Sequence, residues 1–190
     1  MKKLLLITGD IAAGKSTFSK ILAERYRVAV FQKDTVKEIL GDSIGFRDRE
    51  ENKRLSNAAV ETMCHIFMQI AATGGAVILE ANFHEAELEK LHTIAHAKEY
   101  DVLTIVLRGD AEVLYRRYLH RMKEENRHPV HLTTTLDVKE DFIKTAEWIR
   151  KEKVMGETLV VEATDFSYQE DSVVLARVDS FMEGQIVEGV

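Results

Sequence analysis

Apolar and polar positions along the chain alternate between two regimes. Five short runs rich in leucine or β-branched residues stand as nearly continuous apolar stretches, at 3–8, 28–32, 76–80, 102–107 and 158–162. Unbroken apolar character, rather than strict alternation, predicts strands covered on both faces, as in a parallel sheet. Between these runs the apolar period lengthens, and helices are predicted over 15–26, about 50–72, 85–98, 110–125 and 138–152. Val138, Phe142, Ala146 and Ile149 share one helical face, as do Val174, Val178 and Phe181 near the C-terminus. Strands that alternate with helices need right-handed crossovers, so the expected fold is α/β, a three-layer α/β/α sandwich around a five-stranded parallel sheet. No repeat, low-complexity tract or linker interrupts the pattern, and one domain over 1–190 is expected. Ligands on such a sheet bind where the carboxyl ends of the strands emerge.

Composition narrows the picture further. A chain of 190 residues with 45% apolar and 31% charged residues can build its own core without staples. The formal charge of −6 argues against broad nucleic-acid binding and against an anionic membrane surface. No apolar run is long enough to span a bilayer, and the short run after Met1, Lys2 and Lys3 leads into a glycine loop rather than a cleavage site. Cys64 is the single cysteine, which excludes an internal disulfide and points to a reducing, cytoplasmic setting. Its apolar surroundings predict a buried structural thiol rather than a nucleophile.

The segment after the first strand carries the most specific chemistry. Gly9, Asp10, Ile11, Ala12, Ala13, Gly14, Lys15 and Ser16 fit the G-x-x-x-x-G-K-[ST] pattern, with a strand before and a helix after. Glycines at the two ends let the backbone turn tightly, so that successive N–H groups face a phosphate. The helix that follows presents its positive end to the same anion. Lys15 is expected to reach the β- and γ-phosphates, Ser16 to ligate magnesium, and Thr17 to join the nucleotide-binding set. Asp10 puts a negative charge inside a loop meant for phosphates, so its side chain is expected to turn away, toward the acceptor pocket or solvent.

Two further strand ends carry carboxylates. Asp34, just after the second strand, suits a role in orienting a substrate hydroxyl and accepting its proton. The bland alternative is a helix cap, although Thr35 with Glu38 reads as a capping box that would leave Asp34 just outside the helix. Glu80 ends the third strand, where a carboxylate can hold magnesium directly or through water. Asn82 and His84 follow it and are weaker candidates for contact with an acceptor. After the fourth strand comes a basic helix with Arg116, Arg117, His120, Arg121 and Lys123, then Arg127, His128 and Pro129. Arg117 and Arg121, four apart, share a face and could clamp a polyphosphate, or could belong to a solvated helix surface. The loop 124–135, holding the only proline, could close over the nucleotide. Residues 157–190 hold eight acidic groups against the single Arg177, so the basic helix reads as a local device rather than a nucleic-acid surface.

Together these motifs resemble the P-loop kinases. More narrowly, the chain is similar to the branch containing polynucleotide-kinase phosphotransferase domains, chloramphenicol phosphotransferase and zeta-type toxins. The resemblance implies strand order 2-3-1-4-5, ATP with Mg2+, Asp34 as catalytic base, and a lid at about 116–135 bearing Arg117, Arg121 and Arg127. It also implies that Thr164 and Asp165 lie near the adenine. The acceptor would sit under 41–54, within a helical segment at about 35–73, where Arg47, Arg49 and Arg54 either grip an anionic acceptor or are solvated. Departures stand at Ala12 and Ala13, in place of a Gly-Ser-Gly-Lys ending, and at Glu80, where many such proteins carry aspartate. The implied activity is transfer of the γ-phosphate to the hydroxyl of a small-molecule or nucleoside-type acceptor, by a monomer or homodimer. A polynucleotide 5′-hydroxyl kinase, a regulatory ATPase and a toxin kinase acting on a nucleotide-sugar are the competing readings.

Overall fold

The computed structural model describes residues 2–124, 127–133 and 135–184. The expectations touching Met1, residues 125–126, residue 134 and the last six residues therefore lie outside the described part. The chain runs β1 (Lys3–Gly9), α1 (Lys15–Tyr26), β2 (Ala29–Gln32), α2 (Lys33–Ile44), α3 (Arg49–Thr73), β3 (Val77–Glu80) and α4 (Glu85–Ala97). It continues through β4 (Asp101–Arg108), α5 (Ala111–Glu124), α6 (Lys139–Lys151), β5 (Glu157–Glu162) and α7 (Ser172–Glu183), with short 3₁₀ turns at Pro129–His131 and Ser167–Gln169. The strand order is β2-β3-β1-β4-β5 and all four pairings are parallel, as expected.

The continuous apolar runs are explained by two cores, one on each face of the sheet. Leu5 and Ile7 of β1 pack with Phe18 and Leu22 of α1, Phe142 of α6 and Val178 of α7. Their neighbours Leu4 and Leu6 point the other way, to Met63, Cys64 and Phe67 of α3 and Leu88 and Leu91 of α4. A strand whose successive side chains both meet helices has no polar face to show, hence its unbroken hydrophobicity. Cys64 is buried in the second core, as its surroundings predict. Among the described residues, no helix is long and apolar enough to cross a membrane.

The predicted elements shift by a residue or two at their ends, with one consequential exception. α2 begins at Lys33, directly at the end of β2, with Gln32 as its N-cap and Asp34 in its first turn. The expected cap at Thr35 does not form, so Asp34 is inside the helix rather than just outside it. Gln32 takes that position because its amide is committed elsewhere, donating to Ser16 O and Ser19 Oγ, both at 2.7 Å. That amide ties the end of β2 to the start of α1 and brings Asp34 alongside the phosphate loop.

Phe67 tests the packing of the α3–α4 layer, because its ring is fully buried and meets Tyr100 edge-on at 5.3 Å. Phe67→Ala is expected to destabilise the protein by about 3–5 kcal/mol, seen as a lower urea midpoint with an unchanged slope.

Candidate nucleotide and acceptor site

The phosphate loop is held in shape from behind. Gly9 has φ +123°, and a Cβ there would collide with the Leu107 carbonyl of β4. Asp10 N–H donates to that same carbonyl at 2.8 Å. The Asp10 side chain, 1% exposed, faces neither acceptor nor solvent, which corrects the expectation for it. It accepts from Arg150 Nη2 of α6 at 2.6 Å, from Arg150 Nε at 3.1 Å and from Gly109 N–H at 3.0 Å. Asp10 is thus a backbone member of the loop whose side chain anchors it to α6 and the end of β4.

The rest of the loop is set by local sterics. Ala12 adopts φ +61° and Gly14 φ +88°, which together fold the chain back toward α1. A Cβ on Gly14 would lie 2.8 Å from the Tyr168 hydroxyl and 2.9 Å from the Phe166 ring, so glycine is required there. Tyr168 in turn donates to Ala13 O at 2.8 Å. The ammonium of Lys15 sits in the loop's own concavity, donating to Asp10 O at 2.7 Å and Gly9 O at 3.2 Å. Burial lowers its pKa, opposed by the carboxylates of Glu80, Asp34 and Asp10.

A cavity of about 750 Å³ opens from the loop. It is lined by Ile11 through Thr17, by Lys33 and Asp34 at the start of α2, and by Glu80, Ala81 and Asn82 at the end of β3. Ser56 of α3 and several basic residues of α5 complete the wall, joined by Arg127 and Phe166. Ser16 Oγ donates to Glu80 Oε2 at 3.0 Å, so the two expected magnesium ligands meet. Burial raises the Glu80 pKa, with Lys15 as the strongest opposing charge. These hard oxygen donors fit a magnesium ion that completes its shell with water and phosphate oxygens. Among the described residues, no cluster of three or more His, Cys, Asp or Glu side chains could hold a metal by itself.

The structure separates the expected arginine pair. Arg121 faces the loop, close enough for its charge to act on Lys15 and Glu80. Arg117 instead donates to the carbonyls of Ala163 and Thr164 and stacks on Phe166, with its guanidinium 4.0 Å from the ring centroid. Its guanidinium is held flat against the segment after β5, and both arginines line the cavity. Phe166, which composition and spacing do not single out, lines the cavity where Thr164 and Asp165 do not.

The loop expected to close over the nucleotide is docked, in its described residues, on α2 and α3. The Val130 carbonyl accepts from Asn52 Nδ2 at 2.8 Å and Lys37 Nζ at 3.2 Å, both side chains being buried. His128 pairs with Asp42 at 2.9 Å and His131 with Glu38 at 2.7 Å. Arg127, next to this anchor, reaches the cavity. Arg47 and Arg54 form surface pairs with Glu51 and Glu50, and Arg49 is exposed. None of the three lines the cavity, which resolves the open alternative in favour of solvated arginines. His84 caps α4 and pairs with Glu152 at 3.1 Å, also away from the cavity.

A phosphate loop between β1 and α1, in a parallel sheet of this order, defines a P-loop protein with the kinase type of topology. The chain belongs to a family of AAA domains, whose model matches residues 5–131, more than half of its length. Among solved structures it is similar to a protein from Chloroflexus aurantiacus j-10-fl, provisionally named a kinase (TM-score 0.79, 27% identity, covering 94% of this chain and 97% of that one). It is also similar to shikimate kinase from Bacteroides thetaiotaomicron (TM-score 0.57, 19% identity, 95% and 98% covered). A third is Kti12 from Chaetomium thermophilum, in complex with ADP-AlF3 (TM-score 0.64, 15% identity, 94% and 98% covered). At their identities the last two bear on the fold alone. No curated protein matches the sequence.

The anchor behind the loop has a measurable signature. Arg150→Met leaves Asp10 charged and buried, and is expected to cost about 3 kcal/mol in urea unfolding. Adding Asp10→Asn removes the stranded charge, so the double variant should recover part of that loss. A double variant less stable than Arg150→Met would mean that the Asp10 charge does not depend on Arg150.

Proposed function

We propose that the protein is an ATP-dependent kinase that moves the γ-phosphate of Mg-ATP to a hydroxyl of a small-molecule or nucleoside-type acceptor. The observation that carries this reading is one cavity shared by the phosphate loop, the Ser16–Glu80 pair and the open carboxylate of Asp34. A carboxylate at the start of α2, in the same cavity as the phosphate loop, is suited to accept the proton of an attacking hydroxyl. The names of several structural neighbours, among them a gluconokinase of Sinorhizobium meliloti and the shikimate kinase, lean the same way.

In this reading the triphosphate lies along the loop from Gly9 to Thr17, and Lys15 leaves its two carbonyl partners to follow the β- and γ-phosphates. Asp34 accepts the proton of the acceptor hydroxyl as that oxygen attacks the γ-phosphorus. The bond from the γ-phosphorus to the bridging oxygen breaks, and ADP leaves. Arg121 and Arg127 neutralise charge on the transferred group from the α5 side. Ser16 and Glu80 would hold a magnesium ion, which would supply the further positive charge that the phosphates need. Arg117 and Phe166 form the wall against which the base stacks. The single buried Cys64 is consistent with a reducing cytoplasm as the place of action.

The test uses γ-labelled ATP with magnesium and pooled alcohols. Asp34→Asn should bind Mg-ADP as the wild type does while losing transfer by about 10²–10⁴-fold. Transfer that survives this change would leave Asp34 as a first-turn residue with no chemical role. Label found only as inorganic phosphate across every pool would favour the regulatory ATPase instead.

A further inference from the structure

The 3₁₀ turn at Pro129–His131 is tied down by contacts that the proposed chemistry does not use. Its own backbone bonds run from His131 N–H to His128 O and from Leu132 N–H to Pro129 O, both at 3.0 Å. They leave the Val130 carbonyl for other donors. Asn52 Nδ2 of α3 donates to it at 2.8 Å and Lys37 Nζ of α2 at 3.2 Å, and both side chains are buried. Burial lowers the Lys37 pKa, opposed by the nearby charge of Asp34. Burying an amide and an ammonium is costly, and here both are turned on a single carbonyl.

Other contacts fix the same turn. The buried Val130 side chain packs so closely on α2 that a Cβ on Gly41 would lie 2.5 Å from its Cγ1. His128 Nδ1 accepts from Val130 N–H at 3.2 Å, which puts the ring proton on Nε2, facing Asp42 Oδ1 at 2.9 Å. His131 Nε2 meets Glu38 Oε1 at 2.7 Å. The partners outside the turn all lie on α2 or α3, and α2 is the helix whose first turn carries Asp34.

Arg127 stands three residues before Val130, a span of at most about 10 Å of chain. It lines a pocket of about 240 Å³ together with Ser16, Asp34 and Arg121. The turn therefore joins the helix of the proposed base to an arginine beside the phosphate loop. An arginine side chain has much rotamer freedom to lose, and fixing the backbone that bears it lowers the cost of presenting it. We infer that Asn52, Lys37 and the close approach at Gly41 form a latch that, through Val130, holds Arg127 where it meets the γ-phosphate. They are positioning residues and touch no substrate. The inference rests on the proposed function for what Arg127 meets, but no acceptor enters its test.

The experiment measures calorimetric binding of Mg-ADP and of a non-hydrolysable Mg-ATP analogue to the full chain. Arg127→Ala should weaken the analogue about tenfold and Mg-ADP less than about twofold. Asn52→Leu, which removes a donor, and Gly41→Ala, which pushes Val130 off α2, should each reproduce that selective loss. Asn52→Leu combined with Arg127→Ala should lose no more than Arg127→Ala alone, because both act on one contact. Gly41→Ala combined with Val130→Ala, which clears the clash, should recover most of the affinity for the analogue. Additive losses at Asn52 and Arg127, equal losses for the two nucleotides, or a Gly41→Ala loss that Val130→Ala does not relieve would overturn the latch. So would a Gly41→Ala variant that binds the analogue as the wild type does. A wild-type protein that binds neither nucleotide overturns the latch together with the reading beneath it. Absence of transfer to any alcohol, with the binding pattern intact, would sink the kinase reading and keep the latch.

Discussion

A loop of backbone N–H groups can hold a triphosphate only if something other than the phosphate keeps it open. In this protein that constraint falls on Asp10. Its carboxylate is buried behind the loop against the guanidinium of Arg150 and the N–H of Gly109, while its own N–H is fixed to Leu107. The loop is thereby tied to β4 and to α6, and its inner face is left for the ligand. Without this tie the Lys15 ammonium, which already satisfies itself on the carbonyls of Gly9 and Asp10, would have an incentive to collapse the loop around it. The buried charge pair is there for geometry more than for net stability, since such pairs seldom outperform a well-packed apolar replacement.

From that fixed loop the remaining groups follow by short steps. Gln32 carries the position of α1 to the end of β2 and so to Asp34. Ile7 and Thr8 carry the position of β1 to Ala81 and Phe83, and so to Glu80 and Asn82. Both carboxylates are thus referenced to the strand that ends in the phosphate loop and to the helix that follows it. Tyr168 and Phe166 do the same for the far wall, bracing Gly14 and carrying Arg117.

Much of this was legible in the residues. Continuous apolar strands announce a two-sided sheet, and Gly9, Gly14, Lys15 and Ser16 announce the phosphate loop, because each rests on local periodicity or on a short motif. What escaped the sequence depends on contacts between distant segments. Asp10 could be seen to be out of place among phosphates, but its partner is 140 residues away in α6. Thr35 and Glu38 make a plausible capping box, yet β2 runs straight into α2 because Gln32 is recruited by α1. Arg117 and Arg121 share a helical face as spacing requires and line one cavity, but the carbonyls and ring that hold Arg117 come from the distant segment after β5.

The distribution of charge in the cavity argues for its division of labour. Cations from α5 and the segment after it, with Lys15, gather where phosphate charge must be neutralised. Lys33 lines the same cavity beside Asp34, while Arg47 and Arg54 are spent on surface pairs with Glu51 and Glu50. The anchor at Val130 keeps the segment bearing Arg127 against α2 and α3, through the buried donors Lys37 and Asn52. Arg127 and Arg121 thereby share a smaller pocket with Ser16 and Asp34, so on the kinase reading the carboxylate stands among the cations that would meet the transferred phosphate.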